Sequence, residues 1–470
     1  MEKNSLRHRS FVIFRAIMIK LVFTCREEPS FWQKNYAAKS RTFTALATVM
    51  GTVIGGGVFF KTASVVAANH SANMTLAAWI LGGILTICAG LTSAELAAAI
   101  PRTGGAMRYL EYAYGKPVGF LMGWAQILVY YPANIAALSI IFGTQWVALF
   151  HLSAAWQLPI AIMCGLSITG LNFLGAKVGG SVQSIALIFK LIPIAVIVIF
   201  GLLAPTHTVI HLWPITTGNH LNWGSAFSSS LLATMFAYDG WISIGNIAGE
   251  MKHPERDLPR AIIIGLALIT VVYTLINLVF LKTLPIDLIA GNQNAAADAS
   301  MKLFGQFGGK LVTIGILISV YGAINGYTLT GMRIPFAMAE EDSLPFSHHF
   351  RRLSPHTFVP YFAGSVQFVI AFIMMLMGSF DLLTDMLVFV MWVFNCLIFL
   401  AVFRLRKTEP KLARPYRVPG YPIIPLIALV GGLFIIVTTL LTETGLAITG
   451  LGLTLIGLPI YFWHQRHRQA

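Results

Sequence analysis

Charge is what this sequence has least of. Asp, Glu, Lys and Arg together make up 11% of its 470 residues, while 56% are hydrophobic. An ordinary soluble chain is about a quarter charged, so a soluble enzyme or a soluble binding module is excluded. The mean hydropathy is +0.75. Cysteine is scarce too: Cys25, Cys88, Cys164 and Cys396 are all there is. None falls on the outer side of the topology given below, so no disulfide is expected. The 12 histidines all fall outside the apolar runs or at their ends. That removes an intramembrane metal site and argues against a histidine proton relay, and the pair at His348 and His349 is too isolated to hold a metal. No cluster of nucleophile, base and metal ligands marks an enzyme, and no cofactor is expected. Long polar stretches are missing as well, so no soluble domain is hidden in the chain.

What is present is a series of long apolar runs. They lie at roughly 43–68, 74–98, 119–149, 157–174, 181–204, 225–249, 260–281, 310–334, 360–378, 382–403, 423–441 and 446–463. Each has the length of a spanning helix, which predicts an all-α polytopic membrane protein of 12 transmembrane helices embedded in a lipid bilayer. The net charge of +14 is topogenic rather than a nucleic-acid footprint: 27 of the 32 Lys and Arg fall on the side of the N-terminal tail. The other side, span ends included, holds only Lys61, Lys282, Lys302 and Lys310, and Lys190 alone lies within a run far from both ends. This positive-inside bias predicts cytoplasmic N- and C-termini and a plasma (cytoplasmic) membrane location. Residues 1–41 form a basic tail whose apolar stretch "FVIFRAIMIKLVF" is interrupted by Arg15 and Lys20 and lacks a cleavage site. It reads as an amphipathic helix on the inner membrane surface or as sequence upstream of the true start. Residues 332–360 read as a polar inner loop with one short helix, and 404–422 as a basic, proline-rich cytoplasmic loop.

Two runs are damaged at mid-depth. "GTVIGGGVFF" (51–60) puts four glycines among its first seven residues, and "AYDGW" (237–241) puts an acid and a glycine at the centre of another run. Glycine costs a helix about 1 kcal/mol relative to alanine, and a central Asp costs about 2.5–3.5 kcal/mol on insertion scales. The damaged runs are the first and the sixth, so each opens a set of five: 42–204 and 225–403, with 423–464 left over. Paired breaks at matching positions of two halves point to a transporter with inverted repeats. Broken helix in lipid must line a cavity or be buried in protein. The half-helix starting near Gly57 offers N–H groups to a carboxylate, and the half-helices ending near Val53 and Ala237 offer carbonyls to an ammonium. An α-amino acid carries both groups on one carbon. Packing of Gly51 and Gly55 as a GxxxG pair is the plainer alternative for the glycines alone.

"GTVIGGGVFF", "SAELAAAIPRTGGAMRYLEYAYG" (93–115), "GGSVQSIALIFKLIPI" (179–194), "FAYDGW" (236–241) and "GEMKHPERDLPRAI" (249–262) resemble the L-amino-acid transporters of the amino acid–polyamine–organocation superfamily. The bacterial serine/threonine exchanger type is the nearest in pattern. The resemblance covers about residues 42–464. It implies a LeuT-like 5+5 core with broken helices 1 and 6, plus two peripheral helices. It also implies sodium-independent exchange of small neutral L-amino acids (serine, threonine or alanine) by alternating access. A proton-coupled symporter, with Asp239 or Lys190 titrating, is the alternative. The resemblance places the substrate carboxylate at Gly55, Gly56 and Gly57, and the amino group at carbonyls near Thr52, Val53 and Ile54 and at those of Phe236 and Ala237. It puts Tyr238, Asp239 and Trp241 around the pocket and its gate, and the Lys190 ammonium where sodium-driven relatives hold sodium. Relatives usually carry serine at the position of Gly56 and often proline at that of Thr62. Animal members link to a heavy chain through a cysteine that "HLSAAWQ" (151–157) lacks, so no covalent partner is expected.

Glu95 reads as a helix-end carboxylate, solvated or paired with a loop. Arg102, Arg108, Glu250, Lys252, Glu255, Arg256 and Asp257 are candidates for inner-gate ion pairs or plain solvated charges. Trp124, Tyr130 and Tyr131 read as packing or interface residues.

Overall fold

The structure, a computed structural model, describes residues 50, 53–100, 104–205, 213–242 and 254–469. Among these the chain is helical and carries no strand. The helices are α1 (Gly57–Asn69), α2 (Ala72–Ala99), α3 (Ala106–Tyr114), α4 (Lys116–Ala125), α5 (Tyr131–Phe150), α6 (Gln157–Phe173), α7 (Ala176–Leu203), α8 (Trp223–Ala237) and α9 (Pro254–Thr283). Then come α10 (Ile286–Ile289), α11 (Ala295–Gly331), α12 (Arg333–Glu340), α13 (Ser347–Phe350), α14 (Tyr361–Met377), α15 (Phe380–Thr408), α16 (Ile423–Thr442), α17 (Thr444–Leu455) and α18 (Gly457–Gln469).

Among the described residues, 8 helices are long and apolar enough to cross a membrane. They coincide with the expected runs at 74–98, 119–149, 157–174, 260–281, 310–334, 382–403, 423–441 and 446–463. The other four expected runs come out differently. α1 and α8 have 13 and 15 residues because α1 begins, and α8 ends, at a break. α14 has 17 residues, and the apolar part of α7 is Phe189–Leu203. Large apolar side chains such as Met163, Leu166, Phe189 and Ile192 stay exposed, as lipid-facing positions of a spanning bundle require. The basic tail and the segments around Arg102, Glu250 and Lys252 lie outside the described residues.

The expected run at 310–334 follows a shorter helical stretch from Ala295, from which a kink at Gly305 (φ 70°) divides it. Only glycine adopts that φ without strain. The stretch at 332–360 contains two short helices, α12 and α13, rather than one. α4 and α5 form one span joined by a π turn, Gln126–Tyr130. Pro132 lacks the N–H that would continue the ladder, and the extra residue of the π turn absorbs the misfit.

Small residues set the helix spacing around the centre. A Cβ on Gly322 of α11 would lie 2.1 Å from the Ala186 Cβ of α7, and one on Gly83 of α2 would lie 2.1 Å from the Thr270 hydroxyl of α9. Glycine at these two places lets the backbones close to a distance no other residue permits.

Candidate functional site

The first break is visible from both sides. The Ile54 N–H still bonds back to the Met50 carbonyl at 2.9 Å. The chain then leaves the helix through Gly55 and Gly56, and α1 starts at Gly57 with no side chain capping its N–H groups. The second break follows α8: Ala237 is its last residue, and Gly240 (φ 104°) turns the chain away. The two breaks touch. A Cβ at Gly57 would stand 2.7 Å from the Ala237 Cα, so this contact requires glycine.

A cavity of about 230 Å³ opens between the breaks and the flanking helices. One water needs about 10–15 Å³ by the same measure, so a small organic solute fits. Val53, Ile54, Gly55, Gly56 and Gly57 form one wall; Phe236, Ala237, Asp239 and Gly240 form the second. α5 and the π turn before it add Tyr130, Tyr131 and Leu138, α7 adds Gln183 and Lys190, and α11 adds Ser319 and Tyr327. Lys190 is 7% exposed. Most of the expected site residues are therefore brought to one place. Thr52 lies outside the described residues.

Tyr238 and Trp241 do not line the cavity. Tyr238 turns behind the break, where its hydroxyl donates to the Trp79 carbonyl at 2.8 Å. Its ring packs on Trp79 and Tyr273, with centroids 5.9 and 5.2 Å away. Trp241 is buried on the side of Gly90 in α2. Neighbouring side chains leave a tight turn on opposite sides, so Asp239 faces the cavity while the Tyr238 and Trp241 side chains do not.

The broken carbonyls expected to meet an ammonium already have one partner. The Tyr273 hydroxyl, from α9, donates to the Val53 carbonyl at 3.0 Å and the Ala237 carbonyl at 3.2 Å. One proton is shared between two carbonyls, and each carbonyl has a second lone pair, so acceptor capacity for an ammonium remains. Nothing in the sequence pattern pointed to Tyr273, which sits in an ordinary apolar run. Tyr130 and Tyr131, read as packing residues, are cavity residues: the π turn swings them inward. Trp124 does pack, stacking on Phe120 at 5.9 Å and donating to the Leu453 carbonyl.

Asp239 is held by its neighbours. Its Oδ2 accepts from the Tyr130 hydroxyl and from the Tyr327 hydroxyl, the latter at 3.5 Å. The Gly240 backbone N–H also points at this carboxylate. Tyr130, Tyr131 and Tyr327 form a triangle of edge-on rings with centroids 4.9–6.5 Å apart.

Away from the cavity, Glu95 pairs with the end of α15 and with Arg414 and Val418 of the loop after it. It is 1% exposed and binds Arg406 at 2.5 and 2.8 Å. Arg108 pairs with Glu111 and Glu341, while the Arg256 side chain is exposed.

The sequence profile of the amino acid permease family matches residues 41–462. The chain belongs to that family. It is 41% identical over 427 residues to the serine/threonine exchanger SteT of Bacillus subtilis (strain 168), spanning 91% of this chain and 96% of that protein. It is 28% identical to Asc-type amino acid transporter 1 of Mus musculus, over 89% of this chain and 79% of that one. It is 26% identical to the human cystine/glutamate transporter, over 94% and 89%. This permease is thus a multi-pass membrane transporter of amino acids, related to exchangers and not to enzymes.

Proposed function

We propose that this permease exchanges small neutral L-amino acids, serine, threonine or alanine, across the plasma membrane by alternating access and without sodium. The observation that carries the reading is the meeting of two chain breaks at one cavity, with uncapped N–H groups at Gly57 and the carbonyls of Val53 and Ala237 beside them. The N–H groups carry the partial positive charge of a helix start and suit the substrate carboxylate. The carbonyls suit its ammonium. Twelve spanning helices, arranged as two inverted sets of five over 42–204 and 225–403 with two further helices at 423–464, are the architecture this reading requires. Both termini are then cytoplasmic, and no disulfide-linked heavy chain takes part.

In this scheme Lys190 supplies a fixed positive charge where a sodium-driven transporter would bind its ion. A lysine ammonium at mid-membrane is expensive, which supports a functional reason for its place in the cavity wall. Lys190→Ala is expected to impair apparent affinity or turnover while leaving membrane insertion intact.

The test is uptake of labelled serine into proteoliposomes, empty or preloaded with unlabelled amino acids, with no sodium and no pH gradient. Uptake confined to vesicles loaded with serine or threonine is the expected result. Uptake that waits for an imposed proton gradient sinks exchange in favour of symport, with Asp239 or Lys190 as the proton carrier.

A further inference from the structure

The cavity holds a carboxylate that the proposed substrates do not call for. A neutral amino acid brings one carboxylate and one ammonium, and the broken main chain already meets both. Asp239 is a third polar feature, turned into the same space. A bare carboxylate there would favour cationic side chains over neutral ones, because ionic hydrogen bonds strengthen in a low-dielectric cavity.

The carboxylate is not bare. Tyr130 and Tyr327 both donate to its Oδ2, and the Gly240 N–H adds a third donor. The two hydroxyls arrive from different elements, one from the π turn before α5 and one from α11. Tyrosine in this place donates a proton without bringing a positive charge. Each hydroxyl therefore takes up an acceptor lone pair that a ligand ammonium would otherwise use. The π turn has a use here as well: an extra residue inside a helix re-aims the side chains that follow.

Resting on the exchanger reading above, we propose that Tyr130 and Tyr327 are specificity-determining residues that mask Asp239, so that the cavity selects neutral over cationic side chains. Removing a donor leaves a buried acceptor short of a partner, an expense that a ligand ammonium can recover and a hydroxyl recovers less well. The mask thus excludes cations by satisfying the carboxylate first.

The test compares two ligands of equal length, L-homoserine and L-2,4-diaminobutyrate, whose side chains end in a hydroxyl and an ammonium. Each competes with labelled serine in serine-loaded proteoliposomes at neutral pH. The wild-type protein is expected to prefer homoserine. Tyr130→Phe should shift the ratio of inhibition constants at least tenfold toward diaminobutyrate. Tyr327→Phe, which removes the longer contact, should shift it about threefold, and it serves if the first variant fails to reach the membrane. Adding Asp239→Asn to either variant should abolish the shift. A ratio within twofold of wild type in a variant that still exchanges serine overturns the mask. So does a wild-type protein that takes diaminobutyrate as readily as homoserine. A wild-type protein that exchanges no neutral amino acid overturns the exchanger reading instead, and the two failures are distinct. A purely structural role for the tyrosines would lower uptake of both ligands together and leave their ratio unmoved.

Discussion

The two ends of α15 carry the same device with the signs exchanged. At its start, the Lys61 ammonium of α1 sits between Asp385 at 2.6 Å and Asp381 at 3.0 Å, and Lys61 is 0% exposed. Ser64 adds a hydroxyl to Asp381, and the rings of Phe380 and Phe236 lie 5.3 and 5.9 Å from the ammonium. At its other end, the Glu95 carboxylate of α2 sits between Arg406 and Arg414, with the Val418 N–H as a further donor at 2.8 Å. Arg406 in turn lies over the Tyr421 ring at 3.8 Å. One end buries a cation among acids, the other an acid among bases. In both, the lone central charge is sealed and its partners reach outward. Two partners per central charge offset the desolvation that makes a single buried pair a poor source of stability.

The difference lies in how rigidly the partners are held. Glu95 takes a bidentate arginine and a backbone N–H, and its bonds gather the 409–422 segment against α2. Lys61 takes two monodentate carboxylates, one of them on the half-exposed Asp381. The Glu95 end is therefore expected to be the stronger fastening. Glu95→Ala should cost about 3–5 kcal/mol, the range for stripping one partner from a buried ionic group, read as thermal unfolding of the detergent-solubilised protein. Lys61→Met should cost less, about 1–3 kcal/mol, because Asp381 can turn to water. A Lys61 variant that unfolds before the Glu95 variant would reverse the ranking.

Combining the two changes asks whether α15 transmits between its ends. Sites this well separated normally add within about 0.3–0.5 kcal/mol, and a larger departure in the double variant would show that the two fastenings work against a common strain. The smallest effect belongs to Arg351, whose contact with Asp342 at 3.0 Å is exposed on both sides. Arg351→Ala should change stability by less than about 0.5 kcal/mol, and a loss comparable to that of Lys61→Met would mean that burial does not rank these pairs.

The outline of the molecule was readable in residue order because bilayer thickness dictates span length and each run declares itself locally. The breaks were readable for the same reason: glycines and an aspartate at mid-run are local anomalies. Partners across the bundle were not. Lys61 meets acids 320 and 324 positions away, and nothing near it in sequence announces them. Glu95 could be assigned to a loop from its place at a helix end, but its arginines come 311 and more residues later. Tyr130 and Tyr131 were misread because an apolar run with two tyrosines looks like packing until the π turn rotates it. Tyr238 and Asp239 are adjacent in the motif and separated by the turn, a distinction that spacing alone does not carry.

The touching of Gly57 and Ala237 has a consequence for how such a protein can change over generations. At the contact itself the wall is made of peptide groups, and every amino acid but proline brings the same one. A point substitution there can wreck the wall but cannot re-letter it. New tastes can instead be written in the side chains around it, in Asp239, Tyr130, Tyr131, Gln183 and Tyr327, while the peptide groups at the contact stay the same.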